Sequence, residues 1–552
     1  MDASPQKMRK LLCSLFLLFF VNTSFAQQGQ VKVRIEDFSG GMITNSSPDI
    51  LGPNQFASMV NVEINRPGKI SKRRGQTLFN TDVGSTAFRG VGRFDPDRTT
   101  SYMVVASSQQ VARSTPSQTS WASFNKASFL TAAQDTDFVQ ANKLLFILNG
   151  FDNPFWYDGA NWFAGSNVYP TSPPVSRTGA WLRNYLFLTG NPTNQDWIYI
   201  SNNLVPTTFD ADDVIRVNTG DGQAIQLIVP YRLNELIVYK ERSIFVLDIT
   251  GNPPSICTDD CWTVQPVNKI VGLIAPRSVV TIGNDQWFLS SNPIAIRSLV
   301  RSDFDKILMS SVSGPIQDVF DGTGNSVINK THISKASAVF FDNKFLIGVP
   351  TGTSTINNTI FVYDFLSNGW YRIDGWFPAE WVVFDERLFY IDANDGRTIE
   401  CFTSNYADYA IGPETTPSAP NKAIIMDVIT RELDFDNKEN FKMPDAVEVE
   451  FEPTGNYEAV VFANYDQDGW ASIGAVNLAG NSLTLPFTLP SNLGTDGVAR
   501  KTFQTQNDGE FRRTQIRITD DDIDEKVILK RITVFANPKQ WRREGGNDQN
   551  ND

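Results

Sequence analysis

A single phrase of polar and apolar positions returns along this chain. A turn residue, usually Asn, precedes a run of apolar and aromatic residues. It reads Asn142 then Leu144-Leu145-Phe146-Ile147, and Asn184 then Tyr185-Leu186-Phe187-Leu188. It returns at Asn234 before Leu236-Ile237-Val238-Tyr239, at Asn284 before Trp287-Phe288-Leu289, and at Asn343 before Phe345-Leu346-Ile347. Asp385 before Leu388-Phe389-Tyr390-Ile391 continues the series, and Asp97 before Tyr102-Met103-Val104-Val105 reads as an earlier copy. From Asn142 to Asp385 the steps are 42, 50, 50, 59 and 42 residues.

Most copies carry a second apolar run, such as Trp197-Ile198-Tyr199-Ile200, Ile244-Phe245-Val246-Leu247 and Ile360-Phe361-Val362-Tyr363. Each unit therefore holds at least one hairpin. A strand-built repeat of about 40–50 residues is the period of a β-propeller blade. One blade cannot bury both faces of its sheet, whereas a closed ring of blades can. A large sandwich would instead place its turns every ~8–12 residues. The pattern predicts an all-β chain with a propeller of about six to seven blades over residues 81–425.

Other stretches differ. Val447-Glu448-Val449-Glu450-Phe451 and Thr514-Gln515-Ile516-Arg517-Ile518 alternate strictly. Such alternation marks strands with one wet face and predicts a β-sandwich-like domain over 426–540. Pro413, Pro417 and Pro420 mark a linker before it, and 541–552 is a polar tail. Residues 27–80 read as an extended N-terminal arm punctuated by Gly40-Gly41 and Pro67-Gly68. Residues 1–26 form a hydrophobic, signal-peptide-like leader. Arg9 and Lys10 precede an apolar run from Leu11 to Val21, with Ser24 and Ala26 placed for cleavage after Ala26. The alternative is a retained hydrophobic arm.

Composition narrows the function. The net charge of −13 argues against a general nucleic-acid binder, which needs clustered Lys and Arg. An acidic surface can still line a channel through which DNA slides. Lys69, Lys72, Arg73 and Arg74 make the most basic stretch. On an acidic protein it is a candidate subunit interface that docks a neighbour's acidic face. The competing reading is an edge strand with protective charges.

The chain holds 1 His, His332, so a Ser-His-Asp triad would have to use it, and no nucleophile elbow surrounds any serine. Asp392-Ala393-Asn394-Asp395-Gly396 and Asp466-Gln467-Asp468-Gly469 echo the start of calcium loops without the downstream Glu. Asp-Gly is also ordinary hairpin vocabulary. Cys257 and Cys261 flank three residues and either close a small loop or stay reduced. Asn45, Asn329 and Asn357 open glycosylation sequons. No catalytic residue, cofactor or metal site is expected.

The arm also carries a resemblance. Gly40-Gly41, Leu51-x-x-x-Gln55, Asn61-Val62, then Pro67-Gly68-x-Ile70-x-Lys72-Arg73-x-Gly75 resembles the opening of phage tail β-propeller proteins. These are the nozzle (tail tubular protein B) and head-to-tail stabilisation or hub proteins of short-tailed phages. The likeness continues through 236–245, 269–275 and 360–370, and spans roughly 35–405. It implies a structural virion protein in the tail. Its copies would assemble into a homo-oligomeric ring, six by resemblance, as part of a conduit for DNA ejection. Its partners would be other tail and adaptor proteins and a genome passing without sequence-specific binding. The leader departs from that family, because tails assemble in the cytoplasm. It supports the alternative, a secreted or periplasmic β-propeller that binds or hydrolyses glycans.

Overall fold

A computed structural model describes residues 29–65, 68–80, 88–118, 120–123, 130–131, 134–166, 169–301, 307–322, 327–409, 422–479, 498–505 and 509–539. The leader, the linker prolines and the polar tail lie outside the described residues.

Seven four-stranded antiparallel units make a propeller. Blades 1 to 6 span 88–123, 137–164, 178–216, 225–268, 280–311 and 337–374. Blade 7 takes three strands from 378–401 and completes itself with Gln76–Asn80, from before blade 1. The first strands of neighbouring blades line the ring, and Pro378–Phe384 of blade 7 lies beside Phe88–Phe94 of blade 1. The ring is therefore closed by a strand borrowed from its own N-terminal side.

The repeated phrase has a structural cause. Each turn residue joins the first strand of a blade to the second. The turns Arg183-Asn184, Asp342-Asn343 and Asp385-Glu386 hold both residues at positive φ. That geometry suits the twist of a two-residue hairpin and favours Asn and Asp. Asn142, Asn234 and Asn284 hold the same place in blades 2, 4 and 5, whereas Asp97 sits in a longer loop of blade 1. The second strand follows, with both faces covered by adjacent blades, so its sequence is continuously apolar. All six residues of Glu235–Lys240 and of Lys344–Val349 are buried. Separate apolar clusters fill the spaces between blades 1 and 2, 2 and 3, 3 and 4, 4 and 5, and 7 and 1. At about 25 cal/mol per Å2 of apolar surface, this face-to-face burial is the main term holding the ring.

The arm is no free extension. Val31–Ile35 pairs antiparallel with Ile528–Pro538, and the hairpin Val62–Asn65/Lys69–Lys72 adds to the same strand. Lys442–Phe451 and Ala499–Gln504 complete that sheet. Phe56–Val60 enters a second sheet between Met426–Thr430 and the outer strand of blade 6, Gly369–Asp374. Thr514–Asp520, Glu458–Tyr465 and Ala471–Asn477 continue it. The sandwich is thus built from both ends of the chain, and its second sheet runs into blade 6. The expected boundaries of 27–80 and 426–540 divide what the structure joins. Thr514–Asp520 keeps the strict buried/half-buried alternation its sequence carries.

Candidate functional site

The basic stretch leaves the hairpin Val62–Asn65/Lys69–Lys72 and turns toward blade 7. Lys69 Nζ meets Glu452 Oε1 at 2.5 Å, on a partly exposed surface. Lys72 Nζ lies 2.5 Å from Asp520 Oδ2 and donates to the Asp522 carbonyl at 2.6 Å, with neither paired side chain exposed. Burial pushes Asp520 up to about 6, against the pull of Lys72.

Arg73 donates to both oxygens of Asp408, at 2.8 and 2.5 Å, to Asn61 Oδ1 at 2.9 Å and to the Asp374 carbonyl at 3.2 Å. Its guanidinium stacks on Trp376 at 4.6 Å, and Trp376 itself donates to Asp408. Arg74 remains half-exposed beside Glu63 and the Phe402 ring. The exposed basic patch expected at a subunit seam is therefore not what Lys72 and Arg73 form. Their charges are answered inside the chain: Lys72 ties two strands of the sandwich to each other, and Arg73 fastens the sandwich to blade 6 and to the segment after blade 7. An unpaired buried charge is costly, and acidic partners were available in the fold.

A second cluster, unmarked by any sequence motif, lies at the propeller axis. Arg277 stands in the short turn Pro276–Ser278 leading into blade 5. It donates to the Arg89 carbonyl in blade 1 at 2.7 Å. Its Nε lies 3.3 Å from Glu380 Oε2 in blade 7, and its Nη2 lies 3.8 Å from Asp135 Oδ1, just before blade 2. It also sits over the Phe88 ring. Blades 7, 1 and 2 are not neighbours of blade 5, so this side chain reaches across the middle of the ring.

Val91 N–H donates to Glu380, and Thr178 Oγ1 of blade 3 donates to Asp137 at 2.6 Å. Burial raises Glu380 to about 7 despite Arg277, and raises Asp137 as well. Such a carboxyl can exchange a proton near neutrality. Periodicity gave no hint of this cluster, because its members come from five blades.

The remaining candidates have local roles. His332 is half-buried and precedes the short turn Ile333–Lys335. Cys257 and Cys261 are joined in a disulfide, and Cys401 is buried with its thiol pushed up. Asp466 accepts from the backbone N–H groups of Arg512 and Arg513, and Asp392 from Asn394. Among the described residues no three His, Cys, Asp or Glu side chains converge as a metal site would require. The Asn357 amide is buried and donates to the Lys335 and Pro378 carbonyls, which leaves it closed to glycosylation in the folded chain.

No known family's sequence profile matches the chain, and no curated protein matches it. Among solved structures it is similar to YCF48 from Cyanidioschyzon merolae, at 13% identity and TM-score 0.37, over 61% of this chain and 97% of that one. It is similar to BamB from Moraxella catarrhalis at 8% identity and TM-score 0.36, over 60% of this chain and 98% of that one. It is also similar to the WD40 β-propeller domain of Doa1, at 8% identity and TM-score 0.38, over 60% and 97% of the two chains. These likenesses concern the fold alone; the chain is an all-β propeller with an appended sandwich.

Proposed function

We propose that this chain is a structural subunit of a phage tail, a nozzle or hub protein whose copies close into a ring around a passage for the genome. The observation that carries the reading is the arm, with its Gly40-Gly41, Asn61-Val62 and Lys72-Arg73 elements at phage-like spacing. Those elements have structural work that suits a rigid tail subunit. Gly41 passes against the backbone of Trp370, Asn61 bridges Arg73 to blade 6, Lys72 ties two strands of the sandwich, and Arg73 locks the sandwich to the propeller. With Arg277 across the propeller's own axis, a genome-sized passage would run between copies, not through one chain. The role needs no catalytic residue. Native mass spectrometry and electron microscopy of the purified chain test it. Closed rings are expected, and a monomer at all concentrations would overturn it.

The second reading is an exported propeller that binds or hydrolyses glycans. The Cys257–Cys261 disulfide favours it, since such bonds persist in oxidising compartments, and Glu380 supplies a carboxyl near neutrality. Mass spectrometry of the mature chain separates the two. An N-terminus at Gln27 in an exported fraction supports this second reading, and peptides from residues 11–26 in purified particles support the first.

A further inference from the structure

The propeller presents an apolar, acidic patch on the side of the ring far from the sandwich. Leu204 closes the outer hairpin of blade 3, and Leu233 lies in the first turn of blade 4. Ile256 lies in the loop between the last two strands of blade 4. All three are on one end of the propeller. Leu204 N–H donates to the Asn184 carbonyl, Ile249 N–H to the Asn234 carbonyl, and Arg183 Nη1 to the Ile249 carbonyl. Their exposures are 56%, 84% and 67%. Isolated exposed leucines are ordinary, but several together mark an interaction site. Beside them the disulfide-closed loop holds Asp259 and Asp260 outward, and neither carboxylate has a cationic partner among the described residues.

The sandwich presents the converse. At the end of Thr514–Asp520 away from Asp520 is an open cleft of about 440 Å3 lined by Phe441, Asp466, Gln467, Arg512 and Arg513. Arg513 is engaged with Glu432, and Asp466 with backbone N–H groups. Arg512 is exposed, and among the described residues its guanidinium meets only the Phe441 ring, at 4.5 Å. Ile50 stands at the same rim, 67% exposed, next to Asp49, which reaches Lys438 and Arg513.

We propose that these two surfaces are the two halves of one head-to-tail contact between copies of this chain. The Asp259-Asp260 loop of one copy seats against Arg512 and Phe441 of the next, and Leu233 and Ile256 cover Ile50. The occupant is a second copy because the two patches are complementary in charge: unpaired carboxylates with exposed aliphatics on one side, an unpaired guanidinium with the half-buried Phe441 ring and the exposed Ile50 on the other. A strongly acidic chain repels its own copies unless a cation meets the acidic surface. The sandwich is fastened to blades 6 and 7 and the acidic loop to blade 4, so the patches lie on different sides of the molecule. A contact between unlike patches is heterologous, and it closes into a ring when the rotation allows. This inference rests on the ring reading above and adds the surfaces that make it.

The test is charge exchange, read by sedimentation velocity and native mass spectrometry with circular dichroism as the folding control. All the altered residues are exposed, so the fold is expected to survive. D259R/D260R and R512D should each weaken association at least tenfold. An equimolar mixture of the two variants should assemble again, because each supplies the half that the other has inverted. Leu233→Ser should weaken association without any charge change. A wild-type chain that assembles while both charge variants assemble equally well overturns these surfaces and leaves the ring reading standing. A wild-type chain that stays monomeric overturns both.

Discussion

Arg73 holds Asp408 through two hydrogen bonds of 2.8 and 2.5 Å while its guanidinium sits over the Trp376 ring, 4.6 Å from its centre. Asp408 follows the last strand of blade 7, and Arg73 follows the sandwich hairpin. The pair is one of the points where the two domains are tied, and neither side chain has appreciable exposure. Removing one partner leaves the other charged and buried, which costs about 3–5 kcal/mol. Arg73→Ala and Asp408→Ala should each lower the unfolding free energy, read from urea titration, by that order. The double variant should cost less than the sum of the two, because neither charge is then stranded. Additive losses would show that the pair is not coupled.

Glu380 gives the chain a pH signature. Its carboxyl titrates at about 7 in the fold against 4.5 when free. Between those values the native chain keeps a proton that the unfolded chain has released. The contribution is fully present below about 4.5 and is lost as pH rises through about 7, amounting to about 3 kcal/mol at most. Asp392 and Asp520, both raised to about 6, act in the same direction. Glu380→Gln should flatten the fall in stability between pH 5 and 7.5, as measured by denaturant titration at several pH values. An unchanged slope would remove Glu380 from the account.

Gly75 marks a close approach between the arm and the segment after blade 7. A Cβ there would lie 2.0 Å from the Ala407 carbonyl oxygen, a backbone atom that cannot swing aside. Gly75→Ala should destabilise by about 3 kcal/mol or more. Gly314→Ala, where a Cβ meets nothing within 4 Å, is the matched control and should shift the thermal midpoint little. Equal effects at the two sites would mean that the arm relaxes freely there.

The hairpin turns give a graded prediction. Asn343 sits at φ 56° behind Asp342 at 48°. A β-branched residue in that region costs about 1–2 kcal/mol. Asn343→Val should therefore destabilise blade 6 by that much, while Asn343→Gly should be tolerated. At Asn284 the left-handed residue is its neighbour Gly283, at φ 61°. Asn284→Val should cost clearly less than Asn343→Val, and hydrogen exchange on the two blades would show the difference.

The sequence by itself determined the parts that local rules control. Asn and Asp at two-residue turns, followed by runs buried on both faces, marked the blades. Alternation such as Thr514 to Ile518 marked the one-sided strands of the sandwich. These signals are legible because a strand's burial pattern and a turn's φ angles are written within a few residues. Only the tertiary structure decided where the arm went and which charges were available. Lys72 and Arg73 read as a surface patch because they are adjacent and basic, yet their partners Asp520 and Asp408 are 448 and 335 residues further on. The strand Gln76–Asn80 completes blade 7 for the same reason, by pairing with Thr398–Cys401 after the chain has gone once around the ring. Arg277 meets Glu380 and Arg89 only because seven blades close on a common axis. Local periodicity fixes the geometry of an element, but the side chains that meet across a closed ring depend on contacts between distant segments, which the periodicity does not encode.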